Sequence, residues 1–324
     1  MLHSRIHPIK FITKHGCCVY VKRDDELGFG ISGSKLRKYQ SLIPYIKQQS
    51  IKYAVLIGGA YSNNIAGLAQ LLVENNVVPY LFLRGDQVPL YQGNFLLTSL
   101  LVPTEQINWV RRENWKYVDA QAEAFLYTLP QPSLLIPEGA CMLEALPGSL
   151  SLGEDIVRNE CEHELLFDHI FIEAGTGLAA IGLILGLRKL KRDSQIHILL
   201  LAINEAEFLE KLGGFYKHLV QSLDEDLSWE EIRKGLYFYM PTTAASFGAT
   251  NQKVFKTIID IARQDGILTD PIYTSKLFLE AQKIILTTPA ITGNILLIHG
   301  GGGLGLMGYQ QELEKQLRKE KLIK

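Results

Sequence analysis

The sequence predicts an α/β protein with two doubly wound domains built on mainly parallel sheets. The chain has 324 residues, which suits two domains at roughly 100–200 residues each. Short apolar runs alternate with helix-length segments along most of the chain. The apolar runs are also continuous in valine, isoleucine and leucine, which is typical of parallel strands covered by helices on both faces.

The expected elements follow from the spacing of the apolar residues. Strands are predicted at 18–21, 53–57, 78–83, 107–110, 133–137, 169–173, 197–203 and 294–299. Helices are predicted at 36–48, 65–74, 113–129, 178–189, 252–264, 275–285 and 304–322. A shift in composition at 147–151 is interpreted as a crossing between the two domains.

Composition and charge argue against several classes of protein. The chain is 47% hydrophobic and 21% charged, so it can build folded cores. A net charge of −1 gives no bulk attraction to nucleic acid or anionic membranes. No run of about 18 uncharged apolar residues predicts a membrane span, and the N-terminus lacks the apolar region of a secretory signal. The four cysteines form no CxxC pair, so we expect them to be reduced thiols. Reduced thiols are typical of a cytoplasmic protein.

A glycine-rich loop at 28–33 leads directly to Lys35. Glycines permit unusual dihedral angles and close approach by a ligand. Lys35 falls at the start of the predicted helix 36–48, where the helix dipole and the cations of Arg37 and Lys38 are expected to lower its pKa. A neutral amine is what Schiff-base chemistry requires. The alternative interpretation is a solvated lysine at the start of a helix.

Two further segments join a predicted strand to a predicted helix. In the first, Ser62, Asn63 and Asn64 are good N-cap residues, and the free N–H groups of a helix N-terminus bind anions. The alternative there is a plain capped helix. The second segment is Gly175-Thr176-Gly177-Leu178-Ala179, a turn whose backbone N–H groups are suited to cradle a phosphate.

The stretch 175–180 also fits a dinucleotide fingerprint. It reads Gly-x-Gly-x-x-Ala, and Asn204-Glu205 ends the next predicted strand where a ribose-binding acid would lie. A dinucleotide-dependent oxidoreductase is therefore an alternative from another class. A second Gly-x-Gly-x-x-Gly at 300–305 is followed only by the final helix, so a complete Rossmann unit is not expected there.

Several motifs together resemble one enzyme family. Lys-Arg-Asp-Asp at 22–25 and Gly-Ser-Lys-Leu-Arg-Lys at 33–38 resemble the cofactor segment of the 1-aminocyclopropane-1-carboxylate (ACC) deaminase and D-cysteine desulfhydrase family. The stretch 269–276 resembles the family's Thr-Asp-Pro-Val-Tyr-x-Gly-Lys, and 297–302 resembles Ile-His-Thr-Gly-Gly. Members are fold-type-II, tryptophan-synthase-β-like enzymes that use pyridoxal-5′-phosphate (PLP), so the resemblance implies that fold and that cofactor.

The resemblance also implies roles for individual residues. It implies that Lys35 holds PLP as a Schiff base and acts as the general base. Asn63 would bind the ring oxygen. Ser62, with the neighbouring Asn63 and Asn64, would hold the substrate carboxylate, and Ser62 would assist catalysis. The phosphate would lie on Gly175, Thr176, Gly177, Leu178 and Ala179, and Gly300 would approach the ring.

Tyr273 and Thr274 carry the implied choice of reaction. By resemblance, Tyr273 acts in proton transfer and Thr274 faces the pyridine nitrogen. A hydroxyl there favours a less protonated ring, which suits removal of a β leaving group. The main hypothesis is therefore D-cysteine desulfhydrase-like α,β-elimination, giving a 2-oxo acid and ammonia, and the alternative is ACC deaminase activity.

Phe247 stands where the family has a tyrosine near the substrate, so one hydroxyl contact is missing. Together with Asn64, this departure keeps a PLP-fold protein without catalytic activity as a further alternative. No metal site is predicted, because Cys161-Glu162-His163-Glu164 has no partner cluster. The resemblance implies a large domain of 1–37 and 152–324, a small domain of 38–151, a small amino-acid substrate and a homodimer.

Overall fold

A computed structural model describes residues 2–30, 32–85, 90–223 and 227–322. The strands are β1 (Ile6–Pro8), β2 (Cys17–Lys22), β3 (Tyr53–Gly59), β4 (Val78–Arg84), β5 (Ile107–Val110), β6 (Ser133–Ile136), β7 (His169–Ala174), β8 (Gln195–Leu200), β9 (Leu236–Tyr239) and β10 (Gly293–Ile298). The helices are α1 (Lys35–Gln48), α2 (Asn63–Glu74), α3 (Gly93–Leu101), α4 (Val118–Leu126), α5 (Leu146–Glu162), α6 (Leu178–Lys189), α7 (Glu205–Leu223), α8 (Trp229–Arg233), α9 (Gln252–Asp265), α10 (Thr274–Thr287) and α11 (Gln310–Leu322). None of the helices in these ranges is long and apolar enough to cross a membrane.

The strands form two sheets. One has six strands in the order β1-β2-β10-β7-β8-β9, and the other has four in the order β5-β4-β3-β6. β1 pairs antiparallel with β2, and the other described pairs are parallel. The predicted α/β class with mainly parallel sheets is confirmed. The N-terminal β2 lies beside the C-terminal β10, while the domain boundaries at 37 and 151 remain predictions.

Local chemistry explains several helix boundaries. α9 begins after Asn251, whose side chain accepts a hydrogen bond from the Val254 N–H at 3.1 Å, and it ends at Gly266 in the left-handed conformation. Asn at an N-cap and Gly at a C-terminus each satisfy groups that a helix end leaves unpaired. α8 begins with a complete capping box between Ser228 and Glu231.

The structure differs from the predicted elements in several places. The sequence patterns missed β1, β9, α3, α5, α7 and α8. The predicted helix at 113–129 begins as a 3-10 turn, Arg112–Tyr117, and continues as α4, while the one at 304–322 is a 3-10 turn, Gly303–Gly308, followed by α11.

The segment 147–151, interpreted as a domain crossing, forms the first turns of α5. Pro147 suits a helix start because its missing N–H is not needed there. Gly148 is required by packing, since a Cβ at this position would lie 2.2 Å from the carbonyl oxygen of Arg37.

The helix that follows the 175–177 turn is fixed by close packing against α5. A Cβ on Gly182 would lie 2.5 Å from the Cβ of Ser149, and one on Gly186 would lie 2.5 Å from the carbonyl oxygen of Leu150. Glycines therefore let α6 and α5 approach at backbone distance. The leucine and isoleucine side chains of α6 are buried around this contact, and each contributes roughly 1.5–3 kcal/mol to stability.

A buried ionic network joins β2, α1 and α5. Lys22 Nζ lies 2.5 Å from Asp155 Oδ2, and Arg37 Nη2 lies 2.6 Å from the same oxygen. Arg37 Nε also lies 2.6 Å from Asp24 Oδ2. Burial alone would raise the pKa of Asp155, but Lys22 and Arg37 together hold it below its ordinary value. The network ties the helix that carries Lys35 to both neighbouring elements.

Candidate active site

A cavity of about 260 Å³ opens at the carboxyl ends of strands from both sheets. Ligand sites in open parallel sheets lie at this edge. The residues predicted from the sequence that line the cavity are Lys35, Ser62, Asn63, Asn64, Gly175, Thr176, Gly177, Leu178, Ala179, Phe247 and Tyr273. Thr274 and Gly300 are absent from the described lining.

Lys35 is the first residue of α1, and its ammonium lies 5.9 Å from the centre of the Tyr273 ring. Burial lowers the pKa of Lys35, while Glu173 and Asp270 act in the opposite direction. The direction agrees with the expectation from sequence, but the cause is different. Burial is the source, and the charge of Arg37 is engaged by Asp24 and Asp155.

Lys38 is a second amine in this cavity and was not proposed from the sequence. Its Nζ donates to the carbonyl oxygen of Gly139. Burial lowers the pKa of Lys38 to about 7, and the charge of Lys35 adds to the effect. Residues three apart share one face of a helix, so the spacing from Lys35 could have predicted that Lys38 faces the same cavity.

The N-terminus of α2 presents three polar residues to the cavity. Ser62 Oγ accepts hydrogen bonds from the N–H groups of Asn64, at 3.1 Å, and Ile65, at 3.4 Å. Asn63 Oδ1 accepts from Asn94 Nδ2 at 2.6 Å, so Asn94 fixes the orientation of the Asn63 amide. Asn64 is anchored differently, because its Oδ1 accepts from the hydroxyl of buried Tyr39 at 2.9 Å.

The turn 175–177 lines the same cavity and is suited to bind an anion. Gly177 adopts a positive φ of 102° immediately before α6, a conformation that glycine tolerates. A Cβ on Gly175 would lie 3.2 Å from Cε1 of Tyr273, so the tyrosine ring packs against this backbone. Free N–H groups and the helix dipole at the start of α6 favour a phosphate here.

Tyr273 and Thr274 face different surroundings. The Tyr273 ring lies 5.9 Å from that of Phe247, edge to face, and burial followed by the charge of Asp270 raises the pKa of its hydroxyl. Thr274 is fully buried. Its Oγ1 donates to Asp270 Oδ2 at 2.8 Å and accepts from the Asp270 N–H at 2.9 Å, so its only hydroxyl hydrogen is used within the chain.

Glu173 is the most consequential residue that sequence reasoning missed. It lies near the end of β7 and lines the cavity. Burial raises the pKa of Glu173 to about 7. Its Oε2 is shielded from solvent and has no hydrogen-bond partner within the described residues. The available signal was a lone acid in the otherwise apolar end of a strand, Ile170-Phe171-Ile172-Glu173-Ala174.

Arg84 and Glu138 reach the cavity from the four-stranded sheet. Arg84 is the last residue of β4, and its guanidinium lies 5.2 Å from the centre of the Trp115 ring. Burial raises the pKa of Glu138, while Arg84 opposes that rise. The two residues therefore add charged groups to the lining of the cavity.

Replacing Glu173 with glutamine is expected to change how stability varies with pH in the protein without added PLP. The folded state raises the Glu173 pKa from 4.5 to about 7, so it holds this proton more tightly than the unfolded chain. Stability should therefore fall as the pH rises from about 4.5 to 7, by up to about 3 kcal/mol from this group. Urea unfolding at several pH values should show the variant gaining relative stability over that window. A difference that stays constant from pH 4 to pH 8 would contradict the assignment.

The two mainly parallel sheets agree with the fold-type-II architecture that the motifs imply. No family model matches the sequence. It is 29% identical over 304 residues to a putative ACC deaminase from Pyrococcus horikoshii, covering 92% of this chain and 88% of the relative. It is 25% identical over 322 residues to a putative mitochondrial D-cysteine desulfhydrase 2 from Oryza sativa subsp. japonica, covering 90% and 79%.

Structural comparison leads to the same relatives. The crystal structure of an ACC deaminase homologue matches with a TM-score of 0.81 and 25% identity, covering 98% of this chain and 94% of that one. These matches confirm the resemblance predicted from the motifs. The chain is a homologue of the ACC deaminases and D-cysteine desulfhydrases.

Proposed function

We propose that this protein is a PLP-dependent lyase or deaminase acting on a small amino acid. The observation that carries the proposal is the presence of Lys35, an amine with a lowered pKa, in one cavity with the anion-binding turn at 175–177. A dinucleotide oxidoreductase would use the turn, but it would leave the buried amine without a role.

The cavity supplies groups suited to each part of PLP. Lys35 provides the amine for covalent attachment, and Asn63, oriented by Asn94, offers its amide to the ring oxygen. The phosphate fits the N–H groups of 175–179. A phosphate there would favour the charged form of Lys38, whose pKa burial otherwise lowers to about 7. When bound, PLP supplies an electron sink for bonds at the substrate Cα.

The remaining side chains bind the substrate and move its protons. The start of α2, with the Ser62 hydroxyl, is suited to hold the substrate carboxylate. Lys35 Nζ would be the base that takes the Cα proton of a substrate such as D-cysteine. ACC has no proton on Cα, so with that substrate Lys35 would move a proton at a ring carbon instead. The raised pKa of Tyr273 keeps its hydroxyl protonated, so it can return a proton. Phe247 closes the same side with an apolar ring.

Two reactions fit this arrangement. With D-cysteine, α,β-elimination and hydrolysis would give pyruvate, ammonia and sulfide, as the implied role of Thr274 favours. With ACC, ring opening and addition of one water would give 2-oxobutanoate and ammonia. The Glu173 carboxyl in the cavity favours the second reaction, because a carboxylate that pairs with the cofactor ring would make the ring a stronger electron sink.

Reconstitution with PLP tests the class, and product analysis tests the reaction. We expect a visible absorbance band from cofactor bound to the protein, with release of sulfide from D-cysteine or 2-oxobutanoate from ACC. Binding of NAD(P)H with no PLP band would favour the dinucleotide alternative. A PLP band with no product from either compound would favour a fold that has lost this activity.

We further propose a cytoplasmic homodimer. The four free cysteines fit a reducing compartment. Leu96 and Leu100, one turn apart on α3, are 42% and 76% exposed and offer apolar surface to a second copy. Sedimentation equilibrium should give twice the monomer mass, and a monomeric mass at micromolar concentration would contradict the dimer.

A further inference from the structure

The carboxyl group of Glu173 lies against Gly300, between β7 and the end of β10. A Cβ on Gly300 would lie 2.7 Å from Glu173 Oε1 and 3.2 Å from Ser34 Oγ. The acid therefore occupies the space that a side chain at position 300 would need. Ser34 precedes Lys35 directly, so the carboxyl sits beside the segment that carries the reactive amine.

The neighbouring acid, Asp270, is fully engaged within the chain. Its Oδ1 accepts from the N–H groups of Ile272 and Tyr273, each at 2.9 Å. Its Oδ2 accepts from the N–H and the hydroxyl of Thr274. Asp270 and Thr274 thus satisfy each other's hydrogen-bonding groups. Glu173 differs from both, because its Oε2 is shielded from solvent and lacks a partner within the ranges described.

We propose that Glu173 is the residue that pairs with the pyridine nitrogen of the cofactor and keeps that nitrogen protonated. The inference rests on the proposed function and replaces the hydroxyl of Thr274 in that role. Glu173 would be a catalytic residue, because it touches the cofactor at the atom that controls how strongly the ring withdraws electrons.

Matching the polar groups of PLP to those of the cavity supports this pairing. Lys35 takes the reactive carbonyl, Asn63 the ring oxygen, and the turn at 175–177 the phosphate. The pyridine nitrogen is the polar atom of the cofactor that remains. Among the described cavity residues, Glu173 carries the buried polar atom that lacks a hydrogen-bond partner. A buried polar group without a partner is costly, so a ligand atom is expected to satisfy it.

Gly300 gives an independent reason to infer that the Glu173 carboxyl takes the place of a hydroxyl found in related sequences. The resembling motif, Ile-His-Thr-Gly-Gly, has threonine at the position of Gly300. At 2.7 Å, the Glu173 carboxyl in its present position would have to move to admit a side chain at 300. This chain has therefore put a carboxyl where the related motif puts a hydroxyl.

A carboxylate at the pyridine nitrogen would affect which class of substrate reacts. A carboxylate stabilises the protonated pyridine nitrogen through a charge-assisted hydrogen bond, and a protonated ring is a stronger electron sink. A reaction that breaks a carbon–carbon bond depends on a strong electron sink more than the elimination of a good β leaving group does. The proposal therefore predicts a preference for substrates without a good β leaving group, as in the opening of the ACC ring.

The direct test is the nitrogen NMR signal of PLP labelled with ¹⁵N in the ring, bound to the whole protein. We expect a protonated nitrogen in the unchanged protein and a shift toward the unprotonated position in Glu173→Gln, which keeps the side-chain shape. Glu138→Gln is the matched control, because Glu138 is a second carboxyl in the same cavity. It should leave the signal in place.

The outcomes separate this inference from the function on which it rests. If PLP does not bind to the unchanged protein at Lys35, the proposed function fails. If PLP binds there but its nitrogen is unprotonated, or Glu173→Gln leaves the signal unchanged, the role of Glu173 is overturned and the function stands.

A pair of variants tests the exclusion between positions 173 and 300. Gly300→Thr alone should displace Glu173 and move the nitrogen signal toward the unprotonated position. Glu173→Ala with Gly300→Thr has room for the threonine and should bind PLP, again with a less protonated nitrogen. A Gly300→Thr protein that keeps the original signal would overturn the proposal.

Discussion

Lys35→Ala is expected to lose turnover by at least about 10³-fold, because it removes both the site of attachment and the amine that moves protons at the substrate carbons. The visible absorbance band of protein-bound PLP should disappear in the same variant. Both measurements use the purified full chain with saturating PLP and either D-cysteine or ACC, whichever the unchanged protein consumes.

Lys47→Ala provides the matched control for this loss. Lys47 is an exposed lysine on the same helix, 12 residues beyond Lys35 and thus about 18 Å along the axis. It should retain the band and the turnover. A Lys35→Ala protein that kept more than a tenth of the original rate, with the band intact, would refute the assignment of Lys35.

Asp155→Asn is expected to lower the free energy of unfolding by about 3–5 kcal/mol, the usual cost of removing one partner from a buried ion pair. Asp155 is fully buried and accepts from Lys22, Arg37, the His3 ring at 2.7 Å and the Ser4 N–H at 3.0 Å. The substitution leaves the cations of Lys22 and Arg37 with Asp24 as the remaining acid of the network.

Urea denaturation with matched m-values measures the loss. Glu154→Gln removes the same charge from the adjacent position of α5, where the side chain is only half-buried, and should change stability by less than about 0.5 kcal/mol. Equal effects of the two substitutions would show that the ionic network contributes little. A loss confined to Asp155→Asn would confirm that it ties α1 to β2 and α5.

The fold was largely predictable because strands buried on both faces are continuous in apolar residues. β5 and α6 match their predicted bounds exactly. α5 was missed because Pro147 and Gly148 look like loop residues, and only the approach of α1 explains why glycine is needed there. β9 (Leu236–Tyr239) was missed because it is a short edge strand that is only partly buried.

The site was predictable where its residues follow one another in sequence. Lys35, Ser62 to Asn64 and the turn at 175–179 each carry a local motif. Asn94, Arg84 and Glu138 come from other elements, and their presence in the cavity depends on sheet packing that no local pattern encodes. The position of Thr274 depends on its mutual hydrogen bonds with Asp270, which a motif cannot reveal.

Gly139 has a consequence for the shape of this cavity. A Cβ at this position would lie 2.2 Å from Thr176 Oγ1, and Gly139 also has a positive φ of 71°. The segment after β6 and the turn after β7 therefore touch, with the Thr176 side chain packed directly against the Gly139 backbone. Any bulkier residue at 139 would act as a wedge between the two sheets. Such a residue would displace Thr176 from the turn assigned to the phosphate, so glycine at 139 sets the spacing of the two sheets and the position of that turn together.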